Sequence, residues 1–220
     1  MVRIEWLYKR DSRRVIIFFN GWGMNGQVVK HLLCKADVVM FYDYRELSFG
    51  KLPDFKAYQE IYVVAWSMGI WAAAQLIPLL QIPPVKLIAI NGTERPVDDQ
   101  YGIPVRIYDL TEKGMTEKGR EKFVLRMLYT QEEKERPHPG FTERPLGEVC
   151  EELVRIRELS ADQTQVLKWD KVYISEKDVI FPVSNQQKWW TGRCPEVQML
   201  PGEGHCPFYR FRNWEEIIGE

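Results

Sequence analysis

Residues 61–72 have the sequence Ile-Tyr-Val-Val-Ala-Trp-Ser-Met-Gly-Ile-Trp-Ala and change character at one serine. The residues before Ser67 are apolar and largely β-branched, which is typical of a strand buried in a sheet. An apolar run of mostly small residues follows Gly69 as far as Leu80 and indicates a helix. The small residues Ala65 and Gly69 flank the serine and allow a very sharp backbone turn. We therefore predict a strand, a tight turn that carries Ser67, and a helix.

The turn matches the G-x-S-x-G pattern of a nucleophile elbow, with Ala65 in place of the first glycine. Such an elbow lifts the serine hydroxyl clear of the sheet. An ordinary β–α turn that contains a serine is the alternative interpretation, since small-x-Ser-x-Gly sequences are common by chance. Motifs elsewhere in the chain are needed to choose between an elbow and an ordinary turn.

The composition is that of a globular protein without a strong net charge. Of the 220 residues 45% are hydrophobic and 28% charged, and the net charge is −1. We therefore expect one good-sized core and no attraction to nucleic acid or to an anionic membrane. The sequence contains neither an apolar run of about 18 residues nor the apolar region of a signal peptide. The scattered cysteines indicate reduced thiols in a cytoplasmic protein, not a zinc site; they are Cys34, Cys150, Cys194 and Cys206.

Further apolar segments alternate with segments of helical spacing. Strands are predicted at residues 2–8, 13–19, 38–42, 86–90, 104–108, 171–175 and 197–200. Helices are predicted after the Gly-rich turn to about Cys34, over 183–191 and over 210–218, with Pro78 and Pro83-Pro84 closing the helix after Ser67. This alternation predicts an α/β fold with a mostly parallel sheet and helices on both faces. Sites in such sheets lie at the carboxyl ends of the strands.

Residues 111–165 differ from the rest of the chain. Charged residues are dense there, strand signals are absent, and a Pro-rich break begins at Arg136. We predict one domain over residues 1–220, with 111–165 inserted as a helical lid. The apolar residues that recur at helical spacing are Phe123, Val124, Met127, Leu128, Val149, Leu153 and Ile156.

Three polar residues follow predicted strands in the order Ser67, Asp178, His205, which is the chain order of the triad in α/β-hydrolases. A serine hydroxyl needs an adjacent base to act as a nucleophile. His205 would take its proton, and Asp178 would orient the imidazole and stabilise the imidazolium.

Other assignments of these residues remain open. His205 could be a structural loop histidine, and Asp178 could cap the helix predicted at 183–191. The other two histidines, His31 and His138, fall in a predicted helix and in the Pro-rich segment. The acids that compete with Asp178 are Asp109 and Glu176.

Two backbone N–H groups are needed to bind the oxyanion of a tetrahedral intermediate. We predict those of Met68, which follows the serine, and of Trp22, which lies in the Gly-rich turn after the strand at 13–19. The Trp22 indole could equally form a wall of an acyl pocket. Trp66 and Phe208 are candidates for the same pocket, with ordinary core packing as the alternative.

Residues 21–26 also match G-x-G-x-x-G, and Asp43 ends the next predicted strand. This arrangement is close to the dinucleotide-binding fingerprint, so an NAD-dependent oxidoreductase is a second hypothesis. Against it, the bulky Trp22 stands where the pyrophosphate would pack, and Ser67 and His205 are left unexplained. We expect no cofactor and no metal.

Four motifs are distinctive when taken together: Asn20-Gly-Trp-Gly-Met-Asn25, Ala65-Trp-Ser-Met-Gly69, Ser175-Glu-Lys-Asp-Val-Ile-Phe-Pro182 and Gly202-Glu-Gly-His-Cys-Pro-Phe208. With them the whole chain resembles the BioG-type pimeloyl-acyl-carrier-protein methyl ester esterases, small α/β-hydrolases of biotin synthesis. BioH-type esterases share the first two motifs with small changes. Asn20 stands where hydrolases usually have a histidine, a departure that BioG-type sequences tolerate.

The resemblance implies an α/β-hydrolase whose substrate is the methyl ester of a pimeloyl chain on acyl carrier protein. Ser67 would attack the ester carbonyl and expel methanol, and the thioester to the carrier would be spared. Because acyl carrier proteins are acidic, basic residues of the insertion are candidates for docking, Arg144 and Arg155 among them. A solvated, mixed-charge helical face is the alternative. The full set is Lys118, Arg120, Lys122, Arg126, Arg136, Arg144, Arg155 and Arg157.

Two other functions stay open. One is a general acyl esterase or thioesterase with the same triad. The other is a hydrolase-like binding protein without catalysis, which the intact pattern of Ser67, Asp178 and His205 disfavours.

Overall fold

The computed structural model describes residues 1–135, 143–162 and 164–220. Seven strands form one sheet in the order β1-β3-β2-β4-β5-β6-β7. Only β1 is antiparallel to its neighbour, so the prediction of a mostly parallel sheet is confirmed. The strands are β1 (Arg3–Tyr8), β2 (Arg14–Phe19), β3 (Asp37–Tyr42), β4 (Glu60–Trp66), β5 (Lys86–Ile90), β6 (Lys171–Ser175) and β7 (Glu196–Leu200).

Seven α-helices connect or follow the strands in the described residues, and four of them lie between β5 and β6. They are α1 (Met68–Leu80), α2 (Val105–Lys113), α3 (Glu117–Met127), α4 (Gln131–Glu135), α5 (Leu146–Ser160), α6 (Val183–Trp190) and α7 (Trp214–Ile218). Short 3-10 helices occupy Gly26–Val29, Phe55–Ala57 and Pro207–Arg210. None of the described helices has the length and apolar character needed to cross a bilayer.

The centre of the sheet is covered on both faces. Successive side chains of a strand point to opposite faces, and every residue from Val15 to Phe19 is 0% exposed. Phe18 makes edge-to-face contacts with Phe208 and Trp214 of the C-terminal segment. Full burial of such a side chain contributes about 1.5–3 kcal/mol, so the continuous apolar runs of the sequence fix the strands in the interior.

The prediction of a strand at 104–108 is wrong, because these residues begin helix α2. The N–H of Val105 donates to Asp99 Oδ1 at 2.9 Å, which satisfies one of the free groups of the first turn. Of this segment's apolar residues Tyr108 is buried, and its hydroxyl donates to Leu153 O on α5 at 2.7 Å. Packing against α5 outweighs the strand preference of the β-branched residues. The helical segment therefore begins at Val105, ahead of residue 111.

Three helix predictions also need correction. The chain after the Gly-rich turn forms only the 3-10 helix Gly26–Val29, because Leu33 then pairs with the C-terminal segment, its N–H donating to Arg212 O at 3.0 Å. Pro78 lies inside α1, which ends two residues later before Gln81 in the left-handed conformation. The final α-helix is limited to Trp214–Ile218.

Candidate active site

Ser67 lies in a strained turn between β4 and α1. Its φ of +59° and ψ of −128° fall in a region that residues other than glycine rarely adopt. A Cβ at Gly69 would lie 2.3 Å from Phe19 O and 2.6 Å from Asn20 O, so only glycine lets the first turn of α1 approach the end of β2. These features are those of a nucleophile elbow.

The side chains of Ser67, His205 and Asp178 form a continuous chain of contacts. His205 Nε2 lies 2.9 Å from Ser67 Oγ, and His205 Nδ1 lies 2.9 Å from Asp178 Oδ2. The three residues are at most 5% exposed. A histidine between a serine hydroxyl and a carboxylate can act as a general base toward the serine.

Asp178 is held by the start of the segment that leads to α6. Its Oδ1 accepts from the N–H groups of Ile180 and Phe181 at 2.8 and 3.0 Å, and Gln186 Nε2 donates to Oδ2 at 3.0 Å. The Phe181 ring stacks on the imidazole of His205, with ring planes 8° apart. Sequence reasoning missed Gln186, whose position on the inner face of α6 carried no recognisable signal.

The backbone at His205 is fixed by two buried side chains. Its carbonyl accepts from Asn91 Nδ2 at 2.9 Å and from Trp66 Nε1 at 2.8 Å. Asn91 Oδ1 also accepts from the N–H of Ser175 at 2.7 Å, so this residue joins the ends of β5 and β6 to the His205 loop. Asn91 has φ +49°, and its place directly after a predicted strand was the available signal. Trp66, expected as a candidate for the pocket, also has this anchoring role.

The two predicted oxyanion donors belong to different segments of the chain. Met68 is the first residue of α1, where a backbone N–H has no acceptor within the helix. Trp22 and Met68 line the same small cavity as Ser67 and His205. The Trp22 indole donates to Val149 O of α5 at 2.8 Å, so this side chain is fixed by the inserted helices.

Two narrow cavities, each of about 10 Å³, share Trp22, Met68, Phe123 and Ile180, and one of them is lined by Ser67. Both are too small for more than about one water molecule. A groove of about 250 Å³ between α2 and α3 continues from them and shares Ile107, Thr111, Phe123 and Arg126 with the second cavity. The side chains that line these spaces therefore form one mostly apolar set between the surface of the inserted helices and the serine. Phe208 does not belong to it, since its ring packs against Phe18 and Trp66.

A much larger cavity lies elsewhere. It has a volume of about 660 Å³ between β1 and the turn at Asn25, and its lining includes Arg3, Glu5 and Glu143 but no residue of the triad. We assign the site by its chemistry, because the narrow cavity at Ser67 contains a nucleophile beside a base.

The prediction that Arg144 faces a partner is wrong. Its side chain is only 4% exposed and contacts Glu152 and Asp43, with Nη1 2.6 Å from Glu152 Oε2 and Nη2 3.3 Å from Asp43 Oδ2. A guanidinium that is buried between two carboxylates is not available to contact another protein.

The fold places the other basic candidates at different parts of the surface. Arg155 pairs with Glu158 and lines a cleft with Met1 and Glu46, not the groove between α2 and α3. Arg157 bridges Asp109 and Glu112 of α2. Lys122 and Arg126 are exposed on the groove between α2 and α3 and have no ion-pair partner within the part of the chain that the structure describes. Arg136 and His138 lie outside the described residues.

The competing assignments have other structural roles. Asp109 pairs with Arg157, and Glu176 accepts from the N–H of Gly202 at 3.2 Å. The dinucleotide hypothesis is wrong, because the 3-10 helix after the Gly-rich turn offers no α-helix N-terminus to a pyrophosphate. Asp43, which that hypothesis expects to bind the ribose, instead pairs with Arg45 and Arg144.

The family model of the pimeloyl-ACP methyl esterase BioG matches residues 4–217. The chain belongs to the BioG family. A crystal structure of BioG from Haemophilus influenzae is similar over 99% of both chains, with a TM-score of 0.86 and 32% identity. A putative aryl esterase from Burkholderia cenocepacia, 12% identical, aligns over 95% of this chain and 89% of its own with a TM-score of 0.66. The α/β-hydrolase fold is thereby confirmed.

Two curated relatives extend the comparison. A malonyl-[acyl-carrier protein] O-methyltransferase from Bacteroides fragilis is 39% identical over 192 residues, which is 86% of this chain but only 39% of that protein. This chain thus spans about two fifths of the length of that relative. An uncharacterized protein from Haemophilus influenzae is 33% identical over 96% of both chains.

Proposed function

We propose that this protein is a serine carboxylesterase that hydrolyses the methyl ester of a pimeloyl chain on acyl carrier protein, in biotin synthesis. Ser67 Oγ attacks the methyl ester carbonyl while His205 accepts the hydroxyl proton, and the N–H groups of Met68 and Trp22 bind the oxyanion. His205 then protonates the departing methanol. A water molecule, activated by the same imidazole, releases the free carboxylate from Ser67.

The observation that carries the proposal is the Ser67–His205–Asp178 chain, with both contacts at 2.9 Å and all three groups buried. Asp178 accepts two backbone N–H groups besides its contact with the imidazole, so its carboxylate is fixed in place. It can therefore hold His205 in the tautomer that leaves Nε2 free to accept the serine proton.

Hydrolysis explains the site better than methyl transfer does. A serine activated by a histidine at a strained elbow forms an acyl-enzyme, whereas methyl transfer needs a bound methyl donor. Because this chain corresponds to 39% of the Bacteroides relative, we assign the methyltransferase named for that protein to its remaining length. The two reactions would be complementary, since one forms a methyl ester and the other removes it.

Helices α2–α5 have the features of a lid. Phe123 and Met127 of α3 line the cavity at Ser67, and this cavity and the one beside it, each of about 10 Å³, are too small for an acyl chain. Entry of a pimeloyl chain thus requires α2 and α3 to separate along the groove that they already form. The narrow path that then opens would bring the distal methyl ester to Ser67 while the thioester stays near the surface. The thioester would be spared because it does not reach the serine.

The carrier protein would dock at the mouth of this groove. Lys122 and Arg126 line this groove and are exposed, so they can attract an acidic partner. Lys118, on the same helix, is also exposed. This assignment replaces Arg144, which is buried, and Arg155, which lies by the N-terminus.

The test is methanol release from pimeloyl-carrier-protein methyl ester, with the wild-type protein compared with Ser67→Ala. We expect release that the substitution abolishes, with the thioester intact in both reactions. Cleavage of small esters without release from the carrier substrate would contradict the biotin assignment and favour a general esterase. Failure of the folded wild type on both substrates would contradict the hydrolase mechanism.

A further inference from the structure

Glu152 is a buried carboxylate that joins the inserted helices to two loops at the active-site edge of the sheet. It lies on α5 and is 0% exposed. Its Oε2 accepts from the N–H of Gly23 at 3.1 Å, and its Oε1 accepts from the N–H of Tyr44 at 2.8 Å. The two carboxylate oxygens thus hold the loop after β2 and the loop after β3.

The preceding turn of α5 holds the same loop at a neighbouring point. Val149 O accepts from the Trp22 indole at 2.8 Å. Gly23 has φ +72°, and a Cβ there would lie 3.2 Å from Val149 Cγ1, so the loop is in close contact with the helix. The Trp22 side chain and the peptide that follows it are therefore fixed by Val149 and Glu152, which lie one turn apart on α5.

We propose that Glu152 is a positioning residue for the oxyanion hole. It fixes the peptide between Trp22 and Gly23 and, together with Val149, sets the direction of the Trp22 N–H toward the ester oxygen at Ser67. This inference rests on the proposed ester hydrolysis. It further implies that α5 stays docked during turnover, because its separation from the core would disorder the hole.

The chemistry of the contacts requires a carboxylate. Both Glu152 oxygens accept a backbone N–H, whereas an amide has one accepting oxygen and would turn its NH₂ group toward one of the donors. Replacement by glutamine therefore loses one of the two anchors while keeping the volume of the side chain.

Glu152 also has a structural contact, because Arg144 Nη1 lies 2.6 Å from the same Oε2. The experiment must therefore distinguish the positioning of the loop from the pairing of these two charges. Removing the carboxylate alone leaves this guanidinium short of a partner in the interior, which costs stability. The double substitution Glu152→Gln with Arg144→Leu removes both charges. It separates the need for charge balance from the positioning of the loop.

The matched control is Glu148→Gln, one turn earlier on α5. Glu148 Oε1 lies 2.7 Å from Arg3 Nη2 and so also ties α5 to the core, but it does not contact the loop at Trp22. A general loosening of α5 would affect both variants alike, whereas a positioning effect is confined to position 152.

The experiment measures kcat and KM for a p-nitrophenyl ester, with folding followed by thermal unfolding. We expect Glu152→Gln and the double variant to lose about 10- to 100-fold in kcat with KM within about twofold, because oxyanion contacts act on the transition state. Glu148→Gln should stay within about twofold in both constants.

Full kcat in folded Glu152→Gln, an equal loss in Glu148→Gln, or recovery of kcat in the double variant would each overturn the inference. If the single variant does not fold, the double variant gives the answer. Absence of ester cleavage by the folded wild type would instead reject the proposed function, and the inference with it.

Discussion

At the scale of single residues, the site depends on one strained backbone position. Ser67 has a positive φ although it carries a side chain, a conformation that costs on the order of 1–3 kcal/mol. The strain persists because the N–H of Ser67 donates to Ile90 O at 2.9 Å and because Gly69 lets α1 close onto the end of β2. The sheet and the helix together hold the serine where His205 can reach it.

Gly69→Ala should therefore destabilise the protein and reduce ester hydrolysis. The new Cβ would stand 2.3 Å from Phe19 O, which is backbone and cannot rotate away. We expect a loss of about 1–3 kcal/mol in the free energy of unfolding, measured in urea.

The matched control for this prediction is Gly147→Ala, where a Cβ meets nothing within 4 Å in the first turn of α5. This substitution should leave the unfolding free energy equal or up to about 1 kcal/mol higher, because alanine favours the helix. Equal effects at the two positions would contradict the argument from close approach.

At the scale of elements, the inserted helices are tied at both ends to the sheet. Glu94, after β5, is 1% exposed, and its Oε1 accepts from Leu167 N–H at 2.7 Å and Trp169 Nε1 at 2.9 Å. The contact joins the segment that leaves the sheet to the segment that returns to β6. Burial raises the pKa of this carboxyl to about 7, against the opposing effect of the two hydrogen bonds and of Arg193 and Arg95.

The raised pKa of Glu94 predicts a loss of stability toward alkaline pH. The folded state holds the proton more tightly than the unfolded chain, so the stability that protonation provides is present below about pH 4.5 and is lost as the pH rises through about 7. Glu94→Gln should remove this dependence, since one amide oxygen can accept both N–H groups. We expect the wild type to lose on the order of 2 kcal/mol relative to the variant between pH 5 and 8.

The measurement is urea unfolding at several pH values, with Glu121→Gln on the exposed side of α3 as control. The control should follow the wild type throughout. Parallel pH profiles for wild type and Glu94→Gln would show that this carboxyl titrates alike in the folded and unfolded states and would reject the prediction.

At the scale of the whole molecule, a net charge of −1 cannot attract an acidic carrier protein over long distances. Recognition has to come from a local surface. Many basic residues of the inserted helices are already paired, including Arg120 with Glu117 and Arg157 with Asp109. The exposed Lys122 and Arg126 at the groove are therefore the stronger candidates.

Reversal of these two charges, Lys122→Glu with Arg126→Glu, should raise KM for the carrier-bound ester by about tenfold or more, and far more than for a small ester. The control is Lys51→Glu with Lys56→Glu, which changes the net charge equally. Both control residues are exposed and precede β4, outside the groove between α2 and α3. Similar KM values for the two double variants would contradict a local docking surface.

The sequence alone was enough to predict the seven strands of the sheet, the elbow and the order of Ser67, Asp178 and His205 at strand ends, but it also predicted a strand at 104–108 that does not form. These features are encoded locally: a buried parallel strand needs a continuous apolar run, and a sharp turn needs small residues beside the serine. The order of strand ends along the chain then placed the three polar residues at one edge of the sheet. The family resemblance rested on the same short motifs.

Contacts between residues that are far apart in the chain became visible only in the folded molecule. Asn91 at His205, Glu152 at Gly23 and the burial of Arg144 join residues far apart in the chain, so no local pattern could predict them. The same holds for residues 105–108, where β-branched residues form a helix because Tyr108 packs against α5. Composition and periodicity set what each segment can form, but contacts between segments select among the possibilities, because burial and hydrogen bonding outweigh local preference.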